Sequence, residues 1–125
     1  MRVKVQTPDA PQPIGPYSQA IVANGFMFLS GQVGVNPSTG EMAGDVVAQA
    51  TQVIANLRSV LAAEGLTFEH VVKTTIFLTD LADFGRVNDV YGACFAADPP
   101  ARATVQVAAL PRGAKVEIEA VAALP

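Results

Sequence analysis

Two strand-like segments joined by a turn fill residues 102–120, which read RATVQVAALPRGAKVEIEA. Side chains alternate between the two faces of a strand, so Arg102 shares a face with Thr104 in the first segment, and Glu117 shares a face with Glu119 in the second. Both segments are otherwise mostly apolar. A charged group in such surroundings is either paired with another charge or placed to bind a ligand.

Length and composition indicate the number of domains and how much of the surface is polar. The chain has 125 residues, of which 50% are hydrophobic and 15% are charged. This length suits a single domain, residues 1–125, with a hydrophobic core of its own. Because a small monomer has a large surface to cover, the low share of charge indicates that part of the surface is buried against other copies of the chain.

Charge and cysteine content limit the classes of partner. The net charge is −3 and no run of Lys and Arg occurs, so a basic nucleic-acid footprint is not expected. The single cysteine, Cys94, suits a reducing compartment. We find neither an apolar leader at the N-terminus nor a stretch of the roughly 18 apolar residues that a membrane span requires. We therefore expect a cytoplasmic protein that binds no membrane.

The remaining pattern predicts strands and helices in a fixed order. Asn24-Gly25 is a strong hairpin signal between strands 20–23 and 26–33, after a short strand near residues 3–6. Helical spacing of apolar residues predicts helices over 46–64, between a capping Asp45 and a terminating Gly65, and over 84–95. A strand at 71–78 separates them. The order is β-β-β-α-β-α-β-β, and two helices cover one face of such a sheet.

Polar residues in two other segments are candidates for a site. Tyr17 follows a proline-rich loop, and Ser30-Gly31 interrupts an apolar strand. Tyr17 either enters a site or packs with its hydroxyl at the surface. Gly31 marks either close approach of a ligand or a β-bulge. We assign no role to His70, the only histidine, and interpret Cys94 as a buried small hydrophobe.

Short motifs spread over nearly the whole chain carry a resemblance to a known family. In order they are Ala10-Pro11, Ile14-Gly15-Pro16-Tyr17-Ser18-Gln19-Ala20, Phe28-Leu29-Ser30-Gly31-Gln32, Pro100-Ala101-Arg102-Ala103 and Val116-Glu117-Ile118-Glu119-Ala120. Together the motifs make the chain similar to the reactive intermediate deaminase family, also called the Rid or YjgF family.

The resemblance implies a fold, an assembly and a reaction. The fold is α+β and chorismate-mutase-like, with one six-stranded mixed sheet and two helices on one face. The assembly is a homotrimer with three clefts between subunits. The implied reaction is the hydrolysis of 2-imino acids and their enamine tautomers to 2-keto acids and ammonia, and neither a metal nor an organic cofactor is expected.

The same resemblance assigns roles to individual residues. Arg102 would hold the substrate carboxylate with its guanidinium fork, and Glu117 would serve as general base and then acid. The other implied contacts come from hydroxyls and backbone: Tyr17, Ser30, Gly31, Asn88 and the backbone N–H of Thr104. Some family members have cysteine at the position of Thr104, so thiol-dependent behaviour is not expected in this chain.

Three other interpretations stay open. In the first interpretation, Arg102 and Glu117 form an ion pair that only supports a subunit interface, and Glu119 is a further structural carboxylate. Alternatively, the chain binds a small carboxylate or a protein partner without turnover, which keeps Arg102 but not a catalytic Glu117. A ribonuclease or translation inhibitor is the third interpretation, against which the acidic balance argues.

Overall fold

Six strands and two helices make up the molecule, a computed structural model that describes residues 1–125. The strands are β1 Val3–Val5, β2 Ala20–Ala23, β3 Phe26–Val33, β4 Val71–Leu78, β5 Ala101–Gln106 and β6 Val116–Ala123. The helices are α1 Val46–Ala62 and α2 Phe84–Gly92, and short 3₁₀ turns cover Phe68–His70, Leu81–Asp83 and Pro111–Gly113.

All six strands form one sheet in the order β1-β2-β3-β6-β4-β5. Only β4 and β5 run parallel, connected through α2, and every other neighbouring pair is antiparallel. The predicted α+β architecture with a six-stranded mixed sheet is confirmed. The two segments of residues 102–120 follow each other in sequence without pairing, because β4 lies between β5 and β6.

Local signals locate the hairpin and the start of α1 as predicted. Asn24 and Gly25 have φ angles of 51° and 80°, the left-handed pair that a two-residue hairpin turn requires. Asp45 accepts a hydrogen bond of 2.8 Å from the backbone N–H of Ala48 and caps the helix. Gly65 also takes a left-handed φ of 70°. The chain thus turns at the positions where the sequence placed its turn residues.

Both helices end earlier than their apolar patterns predict. α1 stops at Ala62 rather than at residue 64, because the chain turns back and the N–H of Leu66 donates to the carbonyl of Leu61 at 3.0 Å. α2 stops at Gly92 rather than at residue 95. Phe95 still stacks on Tyr91, with ring centroids 4.9 Å apart, so the apolar spacing continues beyond the end of the helix.

The hydrophobic core lies between the helices and one face of the sheet. It is a single cluster of 22 buried residues, and its largest members include Met27, Leu57, Leu61, Ile76, Leu78 and Ile118. The opposite face carries Phe26, Phe28 and Val105, which are 41%, 47% and 41% exposed in the single chain. This face of the sheet is therefore apolar in places and uncovered in the single chain.

Candidate functional site

A cavity of about 610 Å³ opens just before the start of β2, where β3 continues beyond its pairing with β2. Four of the predicted site residues line it: Tyr17, Ser30, Gly31 and Glu117. Its other charged residues are Glu119 on β6 and Arg112 in the turn before β6. We call this cavity the acidic cleft. The structure thus brings one predicted group of residues together around the carboxylate of Glu117.

Gly31 leaves room for the side chain of Glu117. A Cβ at position 31 would lie 2.0 Å from Oε2 of Glu117, far inside van der Waals contact. The pairing of β3 with β6 also shifts its register between Leu29 and Gln32, so a bulge is present. Gly31 thus lies at a β-bulge, as one interpretation of the sequence expected. It also allows a close approach, but the approaching group is the carboxylate of Glu117 in the same chain and not a ligand.

Glu117 is half-buried and has no partner. It forms no hydrogen bond through its side chain, and the only ion pair of the molecule joins Arg86 to Asp83. Burial raises the pKa of Glu117 above its usual value, and the nearby charge of Glu119 raises this pKa further. A carboxyl with a raised pKa both accepts and returns a proton more readily near neutral pH.

A buried glutamine fixes the proline-rich loop that forms one wall of the acidic cleft. Oε1 of Gln19 accepts a hydrogen bond of 2.7 Å from the N–H of Thr7. Its Nε2 donates to the carbonyls of Thr7 and Pro11 at 3.1 and 2.9 Å. These bonds replace regular backbone pairing, which four prolines between Thr7 and Tyr17 prevent.

The two hydroxyl groups of the acidic cleft differ in whether they donate a hydrogen bond within the chain. Oγ of Ser30 donates to the carbonyl of Ser18 at 2.6 Å, so its lone pairs remain free to accept. Tyr17 is 53% exposed and its hydroxyl has no partner in the chain. The sequence left open whether Tyr17 enters a site or packs with its hydroxyl at the surface. In the single chain the hydroxyl is at the surface, and the residue also lines the wall of the acidic cleft.

Arg102 lies in a second cavity, of about 400 Å³, between α2 and β5. Its guanidinium carbon is 5.1 Å from the ring centroid of Tyr91 and 5.4 Å from that of Phe84. Nη1 donates a hydrogen bond of 2.7 Å to Oδ1 of Asn88. We call this cavity the arginine cleft. The structure therefore joins two of the predicted site residues, Arg102 and Asn88, in one cleft.

Arg102 and Glu117 point to opposite faces of the sheet. Arg102 is in register with Thr74 of β4, and Glu117 with Phe77. Thr74 and Phe77 are three residues apart on one strand and so face opposite ways. Thr74 is buried and hydrogen-bonded to Tyr91 of α2, which puts Arg102 on the helix face. No ion pair between Arg102 and Glu117 forms within the chain.

Comparison with known proteins assigns the chain to a family. The sequence model of the family described as endoribonuclease L-PSP matches residues 7–124. This chain belongs to the endoribonuclease L-PSP family. The same family includes solved structures that carry the names Rid and YjgF, so the resemblance found in the sequence is confirmed.

Several family members are close in sequence. Protein DfrA of Myxococcus xanthus is 61% identical over 97% of this chain and 95% of its own length. The 2-iminobutanoate/2-iminopropanoate deaminase of Mus musculus is 50% identical over 98% of this chain and 91% of its own length. The human protein of the same name is 46% identical over 98% of this chain and 90% of its own length.

Solved structures of the family share the whole fold. The Rid protein YyfA of Yersinia pestis superposes with a TM-score of 0.97 at 45% identity, over 99% of this chain and all of its own. E. coli TdcF, solved with bound serine, gives a TM-score of 0.95 at 41% identity, over 98% of this chain and 99% of its own. The chorismate-mutase-like architecture predicted for the chain is thus that of the family.

Thr104 stands out among the site residues that the family resemblance suggested. It lies on β5, in register with Ile76, and therefore on the same face as Arg102. Its Oγ1 is buried and has no hydrogen-bond partner within the chain. Buried hydroxyls are nearly always paired, so the single chain leaves this group unsatisfied.

Three residues that shape the two clefts carried no predicted role in a site. Phe84 and Tyr91 belonged only to the apolar spacing of the second helix, and both rings lie close to the guanidinium of Arg102. Tyr91 is also part of the hydrophobic core. The spacing of Phe84 and Tyr91 from Asn88 was the available signal, because positions i, i+4 and i+7 share a helix face. Arg112 lines the acidic cleft and donates to the carbonyl of Gly40 at 3.0 Å, and only its place before β6 pointed to it.

No group of three or more His, Cys, Asp and Glu side chains converges so that it could hold a metal ion. Neither helix is long and apolar enough to cross a membrane.

Proposed function

We propose that this protein hydrolyses reactive 2-imino acids and their enamine tautomers, such as 2-aminoacrylate and 2-iminobutanoate, to 2-keto acids and ammonia. The observation that carries the proposal is the half-buried, unpaired Glu117, whose pKa is raised within the acidic cleft. Relatives of 50% and 46% identity are named 2-iminobutanoate/2-iminopropanoate deaminases. The chain would act as a cofactor-independent enzyme of one domain, residues 1–125.

Glu117 supplies the proton transfers. The substrate is the iminium R–C(=NH₂⁺)–COO⁻. Glu117 takes a proton from water while the water oxygen bonds to the iminium carbon, which gives R–C(OH)(NH₂)–COO⁻, an amino alcohol whose amine is uncharged. Protonated Glu117 then returns the proton to the amine, the C–N bond breaks, and the hydroxyl oxygen becomes the carbonyl as its proton passes to ammonia. The products are R–CO–COO⁻ and NH₄⁺, and each such transfer is typically worth ~10²–10⁴ in rate.

Arg102 binds the substrate carboxylate in this proposal. Its guanidinium keeps donors that no group of the chain occupies, since Asn88 is its only hydrogen-bond partner. A planar guanidinium suits a carboxylate because two parallel N–H bonds can form. Asn88 holds the guanidinium in place through the contact at 2.7 Å.

The position of Arg102 supports a site that is shared between subunits. Arg102 and Glu117 lie on opposite faces of the sheet, so one chain cannot present both to one small substrate. The exposed apolar face around Phe28 and Val105 offers the surface for self-association. We therefore propose a homotrimer in which the acidic cleft of one subunit meets Arg102 of the partner subunit.

Other side chains complete the proposed site. Tyr17 and Ser30 would contact the substrate through hydroxyl groups, Gly31 would keep the space beside Glu117 open, and Thr104 would offer its backbone N–H near the carboxylate. The single cysteine and the absence of a basic run support action in the cytoplasm on a small molecule.

A direct assay tests this function. 2-Iminobutanoate is generated in place by an amino-acid oxidase, and keto-acid formation above the uncatalysed rate is followed with wild type, Glu117→Gln and Arg102→Ala. We expect acceleration by the wild type and background rates for both variants, with the same assembled mass for all three. Binding of a small carboxylate by a wild type that shows no turnover would support the binding-module alternative instead.

The name of the family, endoribonuclease L-PSP, suggests one second candidate function, the cleavage of RNA. The net charge of −3 predicts weak binding to a phosphate backbone. Cleavage of RNA by the wild type, with affinity that falls steeply as salt rises, would establish this second activity. The variant Glu117→Gln would show whether the two activities share a site.

A further inference from the structure

The arginine cleft extends beyond Arg102 as an apolar pocket. Tyr91, Gly92 and Phe95 at the end of α2 form one wall, and Pro99 and Pro100 form the other. The volume of about 400 Å³ lies in the range of small-molecule sites, about 300–1,000 Å³. Rings and proline carbons supply most of this surface, so the pocket suits an apolar group.

Arg102 forms the polar end of this pocket. Its guanidinium stacks over Tyr91, and a single N–H of the guanidinium is used by Asn88. Arginine carries five such donors. A carboxylate bound at the free donors would place the rest of its molecule within a few bonds of the rings and prolines.

Gly92 keeps the pocket open. It has a helical rather than a left-handed φ, unlike the glycines that commonly end helices. A Cβ built at Gly92 would meet no atom within 4 Å. Neither backbone strain nor crowding within the chain therefore requires glycine, and the missing side chain leaves free volume beside Arg102.

We propose that this pocket, formed by Gly92, Phe95, Pro99 and Pro100, receives the side chain of the substrate and selects apolar substituents, aromatic ones included. The inference rests on the proposed imine hydrolysis with Arg102 as the carboxylate site. The side chain and the carboxylate are attached to the same imine carbon, so the two lie close together. The acidic cleft must hold water and the departing ammonia beside Glu117, which leaves the pocket beside Arg102 for the substituent.

Filling the pocket tests this inference. The variants are Gly92→Ala and Gly92→Leu, and the matched control is Gly85→Leu. Gly85 also lies in α2 and has no atom within 4 Å of a built Cβ, but it does not line the pocket. The substrates are 2-imino acids with a methyl or a benzyl substituent, made in place from alanine and phenylalanine by an amino-acid oxidase.

The expected result is a change in preference between the two substrates. For Gly92→Leu, kcat/KM for the benzyl substrate should fall about tenfold or more relative to that for the methyl substrate, because a single methylene in an apolar pocket is already worth about 10–200-fold. Gly92→Ala should show a smaller fall in the same direction, and Gly85→Leu should keep the wild-type ratio.

Two kinds of failure can be told apart. If the wild type hydrolyses the methyl substrate but the Gly92 variants leave the ratio unchanged, the pocket assignment is wrong and the proposed function stands. The pocket assignment is also overturned if the Gly92 variants change the assembled mass, because a partner subunit then fills the space. If the wild type hydrolyses neither substrate, the proposed function itself fails and the inference falls with it.

Discussion

The backbone of Gly31 and the carboxylate of Glu117 are in such close contact that a Cβ on Gly31 would lie 2.0 Å from Oε2. The bulge in β3 places this backbone beside the carboxylate. The position of Glu117 in the acidic cleft therefore depends on the absence of a side chain at residue 31.

Gly31→Ala should move Glu117 and reduce catalysis. A displacement of about 1 Å at a reacting group can cost about 10²-fold in rate, so we expect kcat to fall by about that factor. Steady-state kinetics with 2-iminobutanoate measure the fall. A thermal unfolding curve provides the control, and a variant with wild-type kcat and stability would show that the contact does not position Glu117.

Glu119→Gln should shift the pH dependence of the reaction. Burial raises the pKa of Glu117 first and the charge of Glu119 second, so removing that charge lowers the pKa of Glu117. The ionised form is the base, and activity is lost as pH falls through this pKa. The acidic limb of the kcat/KM profile should therefore move to lower pH, with the basic limb unchanged. If the acidic limb does not move, the charge of Glu119 does not influence the pKa of Glu117.

Phe84→Leu should weaken substrate binding and leave the chemical step intact. The ring of Phe84 lies 5.4 Å from the guanidinium carbon of Arg102. A partly exposed cation–π contact is worth about 0.5–1 kcal/mol, so KM should rise about two- to fivefold with kcat nearly constant. Phe26→Leu removes a ring on β3, away from Arg102, and serves as the control provided that both variants keep the assembled mass of the wild type, because Phe26 lies on the apolar face proposed for self-association. A fall in kcat at unchanged KM would argue against this role.

Thr104→Val should stabilise the chain. The buried hydroxyl of Thr104 has no partner, and an unsatisfied buried group costs about 1–3 kcal/mol. Valine keeps the shape and the backbone N–H, so the free energy of unfolding should rise by about 1 kcal/mol with activity retained. Thr104→Ser, which keeps the hydroxyl, should not stabilise. Loss of stability in Thr104→Val would mean that the hydroxyl finds a partner in the assembled protein.

Local chemistry made much of the fold predictable from the sequence. Asn24-Gly25 fixed the hairpin because only a left-handed pair closes a two-residue turn, and Asp45 fixed the start of α1 through its side-chain cap. The ends of α1 and α2 were less predictable, because apolar residues such as Phe95 continue to pack after the helix has stopped.

The candidate site was predictable in its residues but not in its geometry. Motifs contain Glu117, Gly31 and Arg102, the family resemblance added Asn88, and each of the four lies in one of the two clefts. Arg102 and Glu117 lie on opposite faces of the sheet because of the way in which β5 and β6 pair with β4, which lies between them. This pairing is long-range, and no local sequence pattern encodes it. The aromatic floor under Arg102 likewise depends on how α2 packs against β5.

In the proposed trimer, each active site combines Glu117 of one subunit with Arg102 of another. The most direct test mixes Glu117→Gln and Arg102→Ala chains, each inactive alone, by denaturing and refolding them together. At equal amounts, about one quarter of the sites should contain both intact residues, because each site draws them from two independently chosen subunits. We therefore predict recovery of about a quarter of wild-type imine hydrolysis. Background activity from fully assembled mixed oligomers would show that Glu117 and Arg102 of different subunits do not form one active site.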